Sequence, residues 1–137
     1  MSGHIFFNDK WYGFDDCIYV FLRFLEILSN EPDLINHLSD LPKTYTTSEI
    51  DIIFQENNHF EFIERFIQNN DFRDYRVSYL DGVKISNSNS WGLIRASNTS
   101  PKITLRFEAL SENSLIKIKN EIKNAILKID NTIELPF

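Results

Sequence analysis

The spacing of apolar residues divides the chain into a greasy front and a regularly patterned back. His4 to Phe7 reads as a short strand and Asn8-Asp9-Lys10 as a polar turn. Phe14 to Ser29 reads as a helix that is apolar on most sides, through Cys17, Ile18, Val20, Phe21, Leu22, Phe24, Leu25, Ile27 and Leu28. A helix apolar all round belongs inside a larger body, and the remaining chain is too small to wrap it completely. Such a surface predicts self-association through the Phe14–Ser29 helix, or local disorder. From Asn30 to Lys43 the periodicity fades, with Pro32 and Pro42 in place. Leu34, Ile35, Leu38 and Leu41 allow a short helix there, and the segment reads as a hinge between two units.

Beyond the hinge the pattern is regular. Thr46 to Ile53 alternates like a strand. Asn58 and Glu61 suit the cap of a helix whose face carries Phe60, Ile63, Phe66 and Ile67. Tyr75 to Leu80 and Val83 to Ile85 flank Asp81-Gly82, a hairpin signal. Trp91 to Ala96 and Lys102 to Ala109 are two further strands, and Ser111 caps a final helix with Leu115, Ile118, Ile122, Ala125 and Ile129 at helical spacing. One strand, a helix, several antiparallel strands and a last helix predict an α+β sheet with helices over one face.

Composition narrows the class without naming a function. The 137 residues carry a net charge of −6. Neither nucleic acid nor an anionic membrane is attracted globally, and no apolar run reaches the length of a membrane span. One cysteine, Cys17, excludes an intrachain disulfide and a cysteine-based zinc cluster, which suits a reducing cytosol. An anionic ligand therefore needs a local concentration of donors.

The segment between the last two strands supplies one. Arg95 brings a planar fork of N–H donors, Ser97 and Thr99 bring hydroxyls, Asn98 an amide, and consecutive backbone N–H groups can form a nest before Pro101 ends the loop. The same string also reads as an ordinary polar turn. Lys102 and Arg106 alternate with apolar Ile103, Leu105 and Phe107, which marks an exposed sheet face and leaves both outside the core site. His4, His37 and His59 are too scattered for a metal site. His59, at the start of a helix, reads as a surface or capping residue, and Asp15-Asp16 as a structural pair in the turn entering the first helix.

Taken together, these residues resemble the C-terminal portion of a bacterial phosphomannomutase/phosphoglucomutase, in the α-D-phosphohexomutase superfamily. Met1-Ser2-Gly3-His4 resembles the end of that family's sugar-binding Gly-Glu-Met-Ser-Gly-His loop. Trp11-Tyr12-Gly13-Phe14-Asp15-Asp16 and Leu25-Glu26-Ile27-Leu28-Ser29 resemble the close of its third domain. Thr46-Thr47-Ser48-Glu49-Ile50, Asp81-Gly82-Val83-Lys84, Trp91 to Ala109 and Leu135-Pro136-Phe137 resemble its fourth.

The resemblance implies an antiparallel sheet of about four strands with two helices on one face, TATA-box-binding-protein-like, preceded by a strand-helix remnant of the previous domain. Residues 1–43 would close the sugar-binding third domain and form the hinge, and residues 44–137 would be the phosphate-binding domain. It implies a cytoplasmic enzyme that interconverts hexose 1- and 6-phosphates of mannose or glucose through a bisphosphate intermediate, using a phosphoserine and Mg²⁺. Arg95, Ser97, Asn98 and Thr99 would hold the phosphate that is not transferred; Ser2 would contact sugar hydroxyls and His4 the sugar or the reacting phosphate.

Nothing in the chain matches the phosphoserine or metal loops, and the glutamate expected before Met1 is absent. The expectation is thus a binding half with no catalytic residue and no cofactor of its own. It would be cut from a longer enzyme, or begin at an internal methionine, and would partner upstream catalytic domains in cis or in trans. A stand-alone phosphosugar-binding relic and a subunit of a split mutase are the alternatives.

Overall fold

The computed structural model describes residues 3–31, 33–56 and 58–137. The chain divides into two compact units, Met1–Leu41 and Pro42–Phe137.

In the first unit, α1 (Cys17–Asn30) is followed by the short α2 (Leu34–Ser39). Asp16 starts α1: its Oδ1 accepts the backbone N–H groups of Ile18 at 3.0 Å and Tyr19 at 3.1 Å. Such a cap satisfies two N–H groups that have no partner within the helix. The other oxygen, Oδ2, accepts Trp11 Nε1–H at 3.2 Å, and the Trp11 ring stacks on Tyr19 at 4.4 Å between centroids. Asp16 is therefore structural, as its place in the turn suggests. The strand expected over His4 to Phe7 shrinks to a single bridge between Phe6 and Asp15, because no neighbouring strand is present to extend the ladder among the described residues. No residue of α1 is buried.

The second unit is a six-stranded antiparallel sheet with α3 (His59–Asn69) and α4 (Glu112–Ile129) packed on it. Its strands are β1 (Tyr45–Thr46), β2 (Ile50–Ile53), β3 (Arg76–Ser78), β4 (Val83–Ser86), β5 (Ser90–Ala96) and β6 (Lys102–Ala109). Starting from β3 at one edge, the order runs β4, β5, β6, and both β1 and β2 pair with β6 at the other edge.

Six strands replace the expected four or so for two physical reasons. First, the strand read as continuous from Thr46 to Ile53 is broken. Thr46 pairs with Glu108 and Ile50 with Leu105, so Thr47, Ser48 and Glu49 face only Arg106 and Phe107. One surplus residue interrupts the ladder as a bulge does. Thr47 bridges the gap, its N–H donating to Phe107 O at 3.0 Å and its Oγ1 accepting Phe107 N–H at 3.1 Å. Second, the hairpin arm read as Tyr75 to Leu80 is shortened to the three residues of β3 and still pairs with β4 as an added edge strand, which the count of about four leaves out.

The core lies between the sheet and the two helices. Ile85, Ile94, Ile103, Leu105 and Phe107 face Phe66, Ile118, Ile122 and Ile126, all with no exposed surface. Gly92 lets α4 approach β5 closely, since a Cβ there would stand 2.7 Å from Ile122 Cδ1. On α3 the buried stripe is His59, Phe62, Ile63 and Phe66, rather than Phe60, Ile63, Phe66 and Ile67. Phe60 is half exposed. The two stripes differ by about one residue of helix rotation, and a polar name at position 59 hid the one that packs.

Candidate functional site

The polar loop predicted from sequence sits at the β5–β6 turn, at the end where α3 begins. Ala96 pairs with Ile103, and the loop is closed by Ser97 N–H donating to Lys102 O at 2.9 Å and Lys102 N–H to Ser100 O at 2.8 Å. Inside it, Ser97 Oγ lies 3.3 Å from Thr99 Oγ1 and 3.2 Å from Ser100 Oγ. Thr99 N–H also donates to Ser97 Oγ at 3.3 Å. Three hydroxyls are thus gathered around one residue. Asn98 is exposed at the tip. Phe54 N–H donates to Pro101 O at 2.8 Å, tying the loop to the end of β2.

Opposite the loop stands the N-terminus of α3. Asn58 occupies the cap position, as the sequence suggests, but its side chain makes no capping hydrogen bond. The first turn therefore keeps N–H groups without a capping side chain, and a helix N-terminus in that state favours an anion. His59 is 2% exposed, and its Nε2 lies 3.0 Å from Ser97 O. The surface reading of His59 is thereby corrected: it takes a buried position in the apolar stripe and ties the helix to the loop. Its spacing from Phe62, Ile63 and Phe66 (three, four and seven residues) was the available signal. His59, Phe60, Asn98, Thr99, Ser100 and Pro101 line a concavity of about 250 Å³.

Arg95 takes a different direction from the one its sequence position implies. Nη1 donates to Asp81 Oδ2 at 3.0 Å, with the two side chains 45% and 71% exposed. Its guanidinium is solvent-reachable, not buried in an internal ion pair. Asp81 comes from the β3–β4 turn, where Gly82 adopts φ +79° and packs so closely that a Cβ would fall 2.3 Å from Ile94 O. Only glycine suits both the left-handed conformation and that contact. Lys102 is likewise occupied: Nζ donates to Asp51 Oδ2 at 2.7 Å, and Thr104 Oγ1 donates to Asp51 Oδ1 at 2.8 Å. The Lys102 hydrogen bond holds the Asp51 carboxyl below the usual carboxylate range, against partial burial that pushes it up, and the Thr104 hydroxyl adds to the lowering. Both cations near the loop thus carry a carboxylate partner.

The structure brings Ser97, Asn98 and Thr99 together and places Arg95 beside them on Asp81. His4 lies in the other unit, exposed and paired with Asp15, and Ser2 lies outside the described residues. A larger cavity of about 850 Å³ in the second unit is lined by Asp51, Glu56, Asp130 and Glu134 among others; four carboxylates make it a poor host for a dianion. Among the described residues no three of His, Cys, Asp and Glu converge to hold a metal ion. The Mg²⁺ that the resemblance implies finds no such donor set among the described residues. No helix among them is long and apolar enough to cross a membrane.

A loop of clustered hydroxyls facing a helix N-terminus acquires its meaning from relatives. Residues 41–125 match the family described as phosphoglucomutase/phosphomannomutase, C-terminal domain. The chain belongs to that family. Its similarity extends beyond the matched residues: all of it aligns, at 41% identity over 138 residues, with 30% of the phosphomannomutase/phosphoglucomutase of Pseudomonas aeruginosa. The phosphoglucomutase of Neisseria meningitidis serogroup A is 37% identical over 135 residues, covering 97% of this chain and 29% of the relative. In three dimensions, a phosphoglucomutase/phosphomannomutase family protein from Burkholderia thailandensis superposes with a TM-score of 0.88 at 36% identity, over 100% of this chain and 29% of that one. The chain spans about 30% of the length of the curated relatives it matches.

Proposed function

We propose that this chain is the phosphate-gripping C-terminal part of a phosphohexomutase, which interconverts hexose 1- and 6-phosphates in the cytoplasm through a bisphosphate intermediate. The observation that carries the reading is the hydroxyl-lined Ser97–Pro101 loop set against the N-terminus of α3, within a chain of this family. In this role the chain binds and orients and does no chemistry alone. Ser97 and Thr99 hydroxyls, the Asn98 amide and backbone N–H groups hold the phosphate that stays on the sugar. Arg95 joins them by exchanging the Asp81 carboxylate for the phosphate. A dianion that takes two parallel N–H bonds competes well with a singly charged, solvent-reachable partner. Ser2 and His4 contact the sugar end.

Phosphoryl transfer depends mainly on positioning and charge stabilisation, so a clamp on the far phosphate orients the reacting one. With only one phosphate's contacts, the chain alone binds hexose phosphate on the order of millimolar.

The test is a chimera in which this chain replaces the matching stretch of the Pseudomonas aeruginosa relative. It is expected to convert glucose 1-phosphate to glucose 6-phosphate, whereas the chain alone shows no turnover. Arg95→Ala in the chimera lowers kcat/KM by about 30- to 100-fold, the equivalent of about 2–3 kcal/mol of charge-assisted hydrogen bonding. A folded chimera without activity, or one indifferent to Arg95→Ala, contradicts the proposal.

A further inference from the structure

His59 makes an unusual choice for a buried helical position. Its ring has the burial of a core phenylalanine, yet it carries two polar nitrogens inward. One of them, Nε2, meets Ser97 O at 3.0 Å. A carbonyl oxygen only accepts, so Nε2 bears a proton. Nδ1 is buried and finds no partner among the described residues. A buried polar nitrogen without a partner is costly, and a phenyl ring would fill the space without that cost. Packing alone does not account for the imidazole. The Nε2–H bond does.

The bond matters because it ties the loop to the helix and holds the Ser97–Asn98 peptide in one orientation. It sets the distance between the loop and the helix N-terminus that together form the concavity.

Building on the phosphate-gripping reading above, we propose that His59 is a positioning residue for the anion site. Its Nε2–H holds the Ser97 carbonyl and so keeps the loop at the distance from the N-terminus of α3 that the bound phosphate needs.

Two substitutions separate this role from plain packing. His59→Phe keeps the ring and removes the donor; His59→Gln places an amide N–H near the position of Nε2. In the 137-residue chain titrated with inorganic phosphate and with glucose 1-phosphate, followed by the amide shifts of Asn98 to Ser100, His59→Phe is expected to weaken binding about tenfold, and His59→Gln to recover it to within about twofold. In the ligand-free chain, long-range ¹H–¹⁵N spectra should show the proton on Nε2. The Asn98 amide should shift and gain mobility in His59→Phe and return in His59→Gln. If His59→Phe fails to fold, His59→Asn, whose amide reaches only the place of Nδ1, stands in for it.

A proton on Nδ1, or undiminished phosphate affinity in the folded His59→Phe chain, overturns the proposal. If wild type binds no phosphate at all, the proposed function fails. The ligand-free spectra then decide this inference alone: an Asn98 amide indifferent to both substitutions defeats it, and loss with recovery supports the brace.

Discussion

Helices α1 and α4 make opposite use of apolar residues. α1 (CIYVFLRFLEILSN) is the greasier of the two and buries none of its residues. α4 (ENSLIKIKNEIKNAILKI) is half polar and buries Ile118, Ile122, Ala125 and Ile126. The difference lies in arrangement. In α4 the apolar positions fall on one stripe that the sheet can cover in a single contact. In α1 they cover all but the stripe of Tyr19, Arg23, Glu26 and Asn30, and no single layer could cover so wide a face. What fixes α1 is local: the Asp16 cap and the packing of Phe7 and Trp11 on Tyr19. The amount of hydrophobicity in a helix does not determine whether it forms a core; its distribution does.

The sharpest way to break this comparison is to shorten one aliphatic side chain on each helix. Ile122→Ala removes a fully buried side chain, and thermal or denaturant unfolding should show a loss of about 2–4 kcal/mol. Leu22→Ala on α1, 57% exposed, should cost less than about 1 kcal/mol. Sedimentation supplies the complement: wild type is expected to self-associate, and Phe21→Ser with Leu25→Ser to shift it toward monomer. Equal costs on both helices, or a sharp wild-type monomer, would end the distinction.

A smaller effect concerns the caps. Asp16→Ala and Ser111→Ala each remove a side-chain acceptor worth about 1 kcal/mol. Because α4 is held by its buried stripe, hydrogen exchange should show little fraying after Ser111→Ala. In α1 the cap is a principal restraint, and Asp16→Ala should open the first turn visibly.

The smallest effect is electrostatic and belongs to the second unit alone. Lys102 depresses the folded-state pKa of Asp51, so the pair's contribution is complete above the ordinary carboxylate range near pH 4. It is lost as pH falls through the lowered folded value. Asp51→Asn should flatten that part of the acid limb by no more than about 1 kcal/mol, since the pair is solvent-reachable. An acid limb that is unaltered by the substitution would show that the pair contributes nothing.

Much of the second unit was legible because its signals are local and periodic. Asp81-Gly82 marks a hairpin through backbone conformation, Ser111 caps α4 through a serine Oγ bonded to Ser114 N–H, and the α4 stripe follows helical spacing. The bulge at Thr47–Glu49 was not legible, because alternation along one strand says nothing about the partner's residue count. The donors of the proposed site were legible as a list and illegible as an arrangement. Ser97, Asn98 and Thr99 are neighbours in sequence, so a motif reveals them. The Asp81 partner of Arg95 and the His59 bond to Ser97 join residues 14 and 38 positions apart, and only the folded register makes them neighbours.

The most direct trial is a crystal structure of the chain grown with glucose 1-phosphate. The account predicts the phosphate in the concavity between Asn98–Pro101 and the start of α3, its oxygens on the Ser97 and Thr99 hydroxyls, with Arg95 turned from Asp81 toward it. A phosphate bound elsewhere, with the loop empty and Arg95 still on Asp81, would contradict it.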